Sequence, residues 1–158
     1  MKRFEASGMS LLVPIGWEAR LTSPNVRRRD QVGIEQPYLH ASNFPLPVRR
    51  APYGGGVVQL MAASDVFVAL VEYERSSAPT ALFAQRRIPA RLQRGDFSSA
   101  SVQRALRGQS GVQRFFHVDG RAFCLYVVVG GQPAFRVGLT DLNFLLRSLR
   151  INATAGAV

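Results

Sequence analysis

Two histidines (His40 and His117), one cysteine (Cys124) and ten carboxylates are what acid–base, nucleophilic or metal chemistry would have to work with in this chain. A zinc ion asks for three or four converging nitrogen, sulfur or oxygen ligands. His40, His117 and Cys124 offer three, but no CxxC or HxxxH spacing joins them, and His117 is expected several rungs from Cys124 on a shared hairpin face. A thiolate nucleophile needs access and a cationic neighbour. Cys124 lies between Phe123 and Leu125, opposite Phe115, and reads as a small buried hydrophobe. His117, Asp119 and Arg121 alternate like an acid–base cluster, yet a two-residue turn at Asp119-Gly120 sends His117 and Arg121 to opposite faces. Gly108-Gln109-Ser110-Gly111 lacks the spacing and context of a nucleophile elbow. The only lysine is Lys2, so there is no Walker-type phosphate loop. Gly54-Gly55-Gly56 would offer backbone amides to an anion if a helix followed; flexible glycines leaving a proline-rich loop explain it equally well. No catalytic residue, cofactor or metal is expected.

What the chain has in quantity is arginine. It carries 20 basic and 10 acidic residues, a net charge of +10, and every base but Lys2 is Arg. An average domain of this length would hold about 20 of each sign. The charge therefore comes from missing carboxylates, and the preference for Arg is what GC-rich coding produces without selection. The arginines cluster as Arg27-Arg28-Arg29, Arg49-Arg50, Arg86-Arg87 with Arg91 and Arg94, and Arg104, Arg107 and Arg114. With so few acids, many must lack a protein partner. The first three groups are the candidate residues for an anionic or macromolecular partner, an acidic protein or a nucleic acid. No aromatic-interleaved RNA-binding segment and no recognition helix accompanies them.

The elements that must position these groups are read from periodicity. Phe4–Ser7 and Leu11–Val13 form two short strands around Gly8, Trp17–Leu21 resumes extended, and Tyr38–Phe44 is a further strand. Residues 22–35 are polar and punctuated by Pro and Gly, a mobile surface loop. Pro45, Pro47 and Pro52 force an irregular connection. Val57, Leu60 and Met61 give residues 57–63 helical spacing. Asp65–Glu74 is apolar on both faces, a central strand covered on two sides. Residues 75–96 are loop-like, with brief pairing open to 81–84. Ser101–Arg107 fits either a helical turn or a strand, and strand is preferred.

The clearest local signal is Val112–Val118, Asp119-Gly120, Arg121–Val129, a hairpin on a type I′ turn. Its register pairs Val118 with Arg121, Phe116 with Phe123 and Phe115 with Cys124. Both faces are apolar, so layers are expected above and below. A helix over 137–149 presents Leu142, Leu145, Leu146 and Leu149 as one stripe. The sum is an α+β fold, an antiparallel sheet of about six strands flanked by helices, in one domain over residues 1–151 with a flexible tail at 152–158.

The 158 residues suffice for a core without staples, and one cysteine excludes an internal disulfide. Met1–Gly8 has no apolar run behind it and does not read as a signal peptide. The longest apolar runs, Val66–Val71 and 122–131, are short of the roughly 20 residues that span a bilayer. A cytoplasmic location without membrane contact is expected. Exposed strand edges would permit pairing with other chains, and oligomeric state is left open.

Leu12-Val13-Pro14-Ile15-Gly16-Trp17 after an opening hairpin resembles the φ-x-P-x-G-W segment of the PsbP-like fold, which includes the extrinsic photosystem subunit, a Ran-binding import factor and bacterial relatives. The later order of short helix, central strand, hairpin and closing helix is similar across residues 3–151. The resemblance implies an antiparallel sheet flanked by helices and a function in docking onto macromolecules. It carries over no catalytic residue, and the acid-poor surface departs from the Ran-binding member. A non-enzymatic binding module is the expected function, nucleic-acid binding through the Arg clusters the alternative. An enzyme ranks third, its pocket between sheet and helices holding His117 and His40.

Overall fold

The computed structural model describes residues 1–23 and 36–153. Among the described residues eight antiparallel strands form two sheets. The smaller runs β1-β2-β8, with β1 Lys2–Ala6, β2 Met9–Val13 and β8 Arg150–Ile151. The larger runs β3-β4-β5-β7-β6, with β3 Glu18–Thr22, β4 Tyr38–Ser42, β5 Val66–Tyr73, β6 Ser110–Val118 and β7 Arg121–Val129. The α+β class and antiparallel pairing are as expected; the strand count is higher, and β8 was not anticipated.

Local sequence explains the joints. Pro14 to Trp17 is a turn closed by Trp17 N–H to Pro14 O at 3.0 Å, with Gly16 at φ +85°, a value that favours glycine. It carries the chain from the small sheet to the large one. At the hairpin, Asp119 and Gly120 both have positive φ, and the pairs Val118–Arg121, Phe116–Phe123 and Phe115–Cys124 form as read.

β5 and β7 bury both faces. On the first face, Val66, Val68 and Leu70 of β5 meet Phe123, Leu125 and Val127 of β7, Met9, Leu11 and Val13 of β2, and Leu142, Leu145, Leu146 and Leu149. Each buried leucine contributes roughly 2 kcal/mol relative to exposure. On the second face, Phe67, Ala69, Val71, Tyr126 and Val128 pack under Leu46, Val57 and Val58.

Several expectations are corrected. The closing helix is two: α1 Pro133–Val137 and α2 Leu139–Ser148. Gly138 between them lies so close to β5 that a Cβ would meet Val66 Cγ2 at 2.6 Å. Both helices serve the first face; the second face is covered by irregular chain. There, 57–63 makes only a single 3-10 turn at Val58–Leu60, with Leu60 exposed. Ser101–Arg107 forms neither helix nor strand, because the Tyr126 hydroxyl takes the Gln103 amide at 2.7 Å. Residues 81–84 do not pair; Ala81–Phe83 is a 3-10 turn that buries Phe83 against Phe115. The tail is tied down through residue 152, whose amide donates to Gly8 O at 2.8 Å. Residues 154–158 and most of the expected 22–35 loop lie outside the described residues. Among the described residues no helix is long and apolar enough to cross a membrane.

Candidate functional site

The outer edge of β6 is closed by the chain that precedes it. His117 N–H donates to Gln85 O at 2.8 Å, and Ser98 and Gly111 exchange two backbone bonds of 2.9 Å each. Where this strap meets α1, a cleft of about 750 Å³ opens, with Arg94, Phe97, Arg107, Gln109, Gln132 and Phe135 in its walls. Arg94 stands on a 3-10 turn whose ends lock reciprocally, the Gln93 amide donating to Asp96 Oδ2 at 2.7 Å. Its guanidinium lies 5.2 Å from the Phe135 ring centre and donates to Gln132 Oε1. Phe97 meets Phe135 edge to face at 5.2 Å.

Among the described residues no carboxylate lines this cleft. The nearest in sequence, Asp96, gives its second oxygen to Arg114 at 3.1 Å. Arg94 and Arg107 therefore face a concavity whose other polar groups are neutral: Ser99, Ser110, Gln109 and Gln132. Such a wall can hold an anion through charge-assisted hydrogen bonds while the phenyl rings cover its apolar part. Its serines have no histidine beside them, because both imidazoles are engaged elsewhere. His117 Nδ1 meets Phe83 O. His40 is fully buried, its Nε2 meeting Pro52 O at 2.8 Å and its Nδ1 accepting from Arg50 Nε at 3.0 Å. Burial first, with the Arg50 charge adding to it, lowers His40 to about 4 against the opposing Pro52 contact, so the ring is neutral.

The other sequence candidates are scattered. Arg27, Arg28 and Arg29 lie outside the described residues. Arg49 is exposed, but Arg50 turns inward: besides His40 it bonds Pro47 O at 2.7 Å and Thr22 Oγ1 at 2.9 Å, so it fastens the proline-rich loop to β3 and β4 instead of meeting a partner. Arg86, Arg87 and Arg91 are exposed on the strap over β6, with Arg94 at its end. Since β4 and β6 stand three strand spacings apart in the sheet, about 14 Å, the Arg49-Arg50 pair and the strap arginines occupy different edges.

The glycine run is no anion cradle. Gly54 N–H donates to Ala51 O, Gly56 N–H to Gln59 Oε1, and Val57 and Val58 both to Gly54 O, which spends all but the Gly55 amide internally. Cys124 is fully buried, and burial pushes its thiol up to about 11. His117 pairs with Ala122 and Cys124 with Phe115, so the two are nearer than the several rungs expected, but their polar atoms face different partners. Among the described residues no group of three His, Cys, Asp or Glu side chains is placed to hold a metal.

Sequence reading missed the role of the most deeply buried cation among the described residues. Arg121, 0% exposed, donates to both Glu72 oxygens at 2.8 and 2.9 Å, to Ser7 O at 3.0 Å and to Asn152 O at 3.0 Å. The signal was present: Glu72 is the one acid inside the apolar run of β5, and Arg121 the one base in β7. No family model, curated protein or solved structure matches the chain.

Proposed function

We propose that this chain is a non-enzymatic binding module, PsbP-like in design, that receives an acidic segment of a partner protein in the cleft between the β6 strap and α1. The observation that carries this is the pair Arg94 and Arg107 in the wall of a concavity of about 750 Å³ that no carboxylate of the described residues lines. Elsewhere acids do meet arginines, as in Arg3–Glu5, Arg20–Glu18, Arg114–Asp96 and Arg121–Glu72. At the cleft the counter-charge must come from outside. The phenyl walls of Phe97 and Phe135 favour an occupant with an apolar side chain beside its carboxylates, a description that fits a polypeptide. No bond-making role is proposed for the cleft, and a cytoplasmic setting belongs to the same reading.

The experiment is a fluorescence-anisotropy titration of Asp/Glu-rich peptides, some carrying aromatic residues, against the full chain. Arg94→Ala and Arg107→Ala should each weaken binding about tenfold, as for loss of one charge-assisted hydrogen bond. Arg49→Ala, at the other sheet edge, should leave it unchanged. The alignment of Arg86, Arg87, Arg91 and Arg94 along one strap favours a second reading, nucleic-acid binding. That reading wins if single-stranded or duplex oligonucleotides bind with a steep salt dependence and the strap arginines contribute equally.

A further inference from the structure

Among the described residues, and apart from the two-residue β8, two strand edges lack a strand partner, β1 in the small sheet and β3 in the large one, because the 83–98 strap already covers β6. β3 runs on toward residues outside the described ones, and its acid Glu18 accepts from the Leu46 amide. β1 is the open one. Its hairpin turns on Ser7 and Gly8, both with positive φ, so Ala6 and Met9 form the first hydrogen-bonded pair and pairing alternates from there. Ala6, Phe4 and Lys2 therefore bond β2, and the amides and carbonyls of Arg3 and Glu5 point outward. The same alternation turns the Leu12 amide away from β1, where it donates to Ser148 Oγ at 2.8 Å.

We propose that β1 pairs edge to edge with β1 of a second copy, antiparallel about a two-fold axis through Phe4. In that register Arg3 faces the second copy's Glu5 and Glu5 faces its Arg3. Both are outward-pointing positions, so four backbone hydrogen bonds and two opposite-charge pairs form together. A symmetric contact must be complementary to itself; the sequence Lys2-Arg3-Phe4-Glu5-Ala6 is so at this centre, where Arg3 faces Glu5, Lys2 faces Ala6 and no two like charges stand opposite each other. The Arg3 and Glu5 side chains are free to turn, being 68% and 69% exposed and only loosely paired within the chain at 3.5 Å. Phe4 packs on the first-face core. In the pair the two Phe4 rings meet on that side, and two three-stranded sheets become one of six strands.

Sedimentation velocity at physiological salt, which screens the +10 carried by each copy, tests this. The unaltered chain should show a concentration-dependent dimer. Arg3→Glu and Glu5→Lys, each alone, set like charges opposite one another and should raise the dimer dissociation constant about tenfold. Mixing the two variant chains restores opposite charges at both positions and should restore dimerisation as a heterodimer. Glu5→Pro removes an outward amide without touching a β2 bond and should abolish pairing, with circular dichroism confirming the fold. A chain that stays monomeric up to near-millimolar concentration overturns the proposal, as does a dimer indifferent to the reversals or a mixture that recovers nothing.

Discussion

The Arg121 guanidinium gives up water on every side and receives two carboxylate oxygens and two carbonyls in its place. Its plane also lies 5.2 Å from the centre of Phe123. Because Ser7 belongs to the β1–β2 turn and Asn152 follows β8, one side chain on the large sheet holds the end of the small one. Removing one member of such a pair strands a charge in a place with 2% exposure or less. Glu72→Ala should therefore cost about 3–5 kcal/mol in urea unfolding, and the double change to Glu72→Leu with Arg121→Met distinctly less; equal losses would mean the ion pair itself stabilises. His40 makes a different kind of statement. Its folded value of about 4 lies below the 6.5 of an ordinary imidazole. Between those values the unfolded chain binds a proton that the folded chain refuses, so stability falls as pH drops from 6.5 toward 4 and is flat for this group above. The full difference is about 3 kcal/mol. Chemical denaturation across this range should show the slope in the unaltered chain and its loss in His40→Gln; matching profiles would refute it.

Elements differ in how much of their environment is written locally. The β6–β7 hairpin was legible because two residues, Asp119 and Gly120, fix the register of all nine pairs. The α2 stripe was legible because Leu142, Leu145 and Leu146 repeat over more than a turn and point to one neighbour. The 57–63 segment copies that spacing for one turn only, and contacts decide its shape: Val57 and Val58 both reach for Gly54 O, leaving Leu60 in solvent. Residues 101–107 are shaped by Tyr126, some twenty positions away, which no local pattern announces. The strap over β6 and the cleft behind it were invisible for the same reason; the arginine runs included Arg94, which stands in the cleft wall, and could not tell it from Arg50, whose fate depends on His40. Close approach also fixes the end of β7. A Cβ on Gly130 would stand 1.9 Å from Ala62 O, while its amide bonds Asp65 O at 2.9 Å. Gly130→Ala must push the 62–65 turn off the sheet, and we expect a loss of about 2 kcal/mol or more in thermal or urea unfolding. A loss within error of zero would mean the turn yields freely.

Across the whole molecule the large sheet is covered unequally. One face carries α2 and a second sheet, each with its own hydrogen-bond ladder. The other carries chain whose backbone bonds close over a few residues, such as Ala51 to Gly55, Leu60 to Val57 and Gln109 to Leu106. That cover is joined to the sheet by side chains instead, through the Tyr126 hydroxyl and the Phe67 and Val58 contacts. Local opening draws on segments of this kind, since little ordered backbone is lost when they lift. Arg107 and Gln109, two of the cleft's polar side chains, belong to it. Hydrogen exchange should accordingly find amides in 51–61 and 101–109 about a hundredfold less protected than those of β5 and β7. Tyr126→Phe should release 101–109 further and leave β1, β2 and α2 unchanged. An acidic peptide bound in the cleft should slow exchange at 105–110 specifically, which couples occupancy to the order of its own wall. Uniform protection across both covers would mean that the irregular layer is as firmly held as the regular one, and that the cleft is rigid before its ligand arrives.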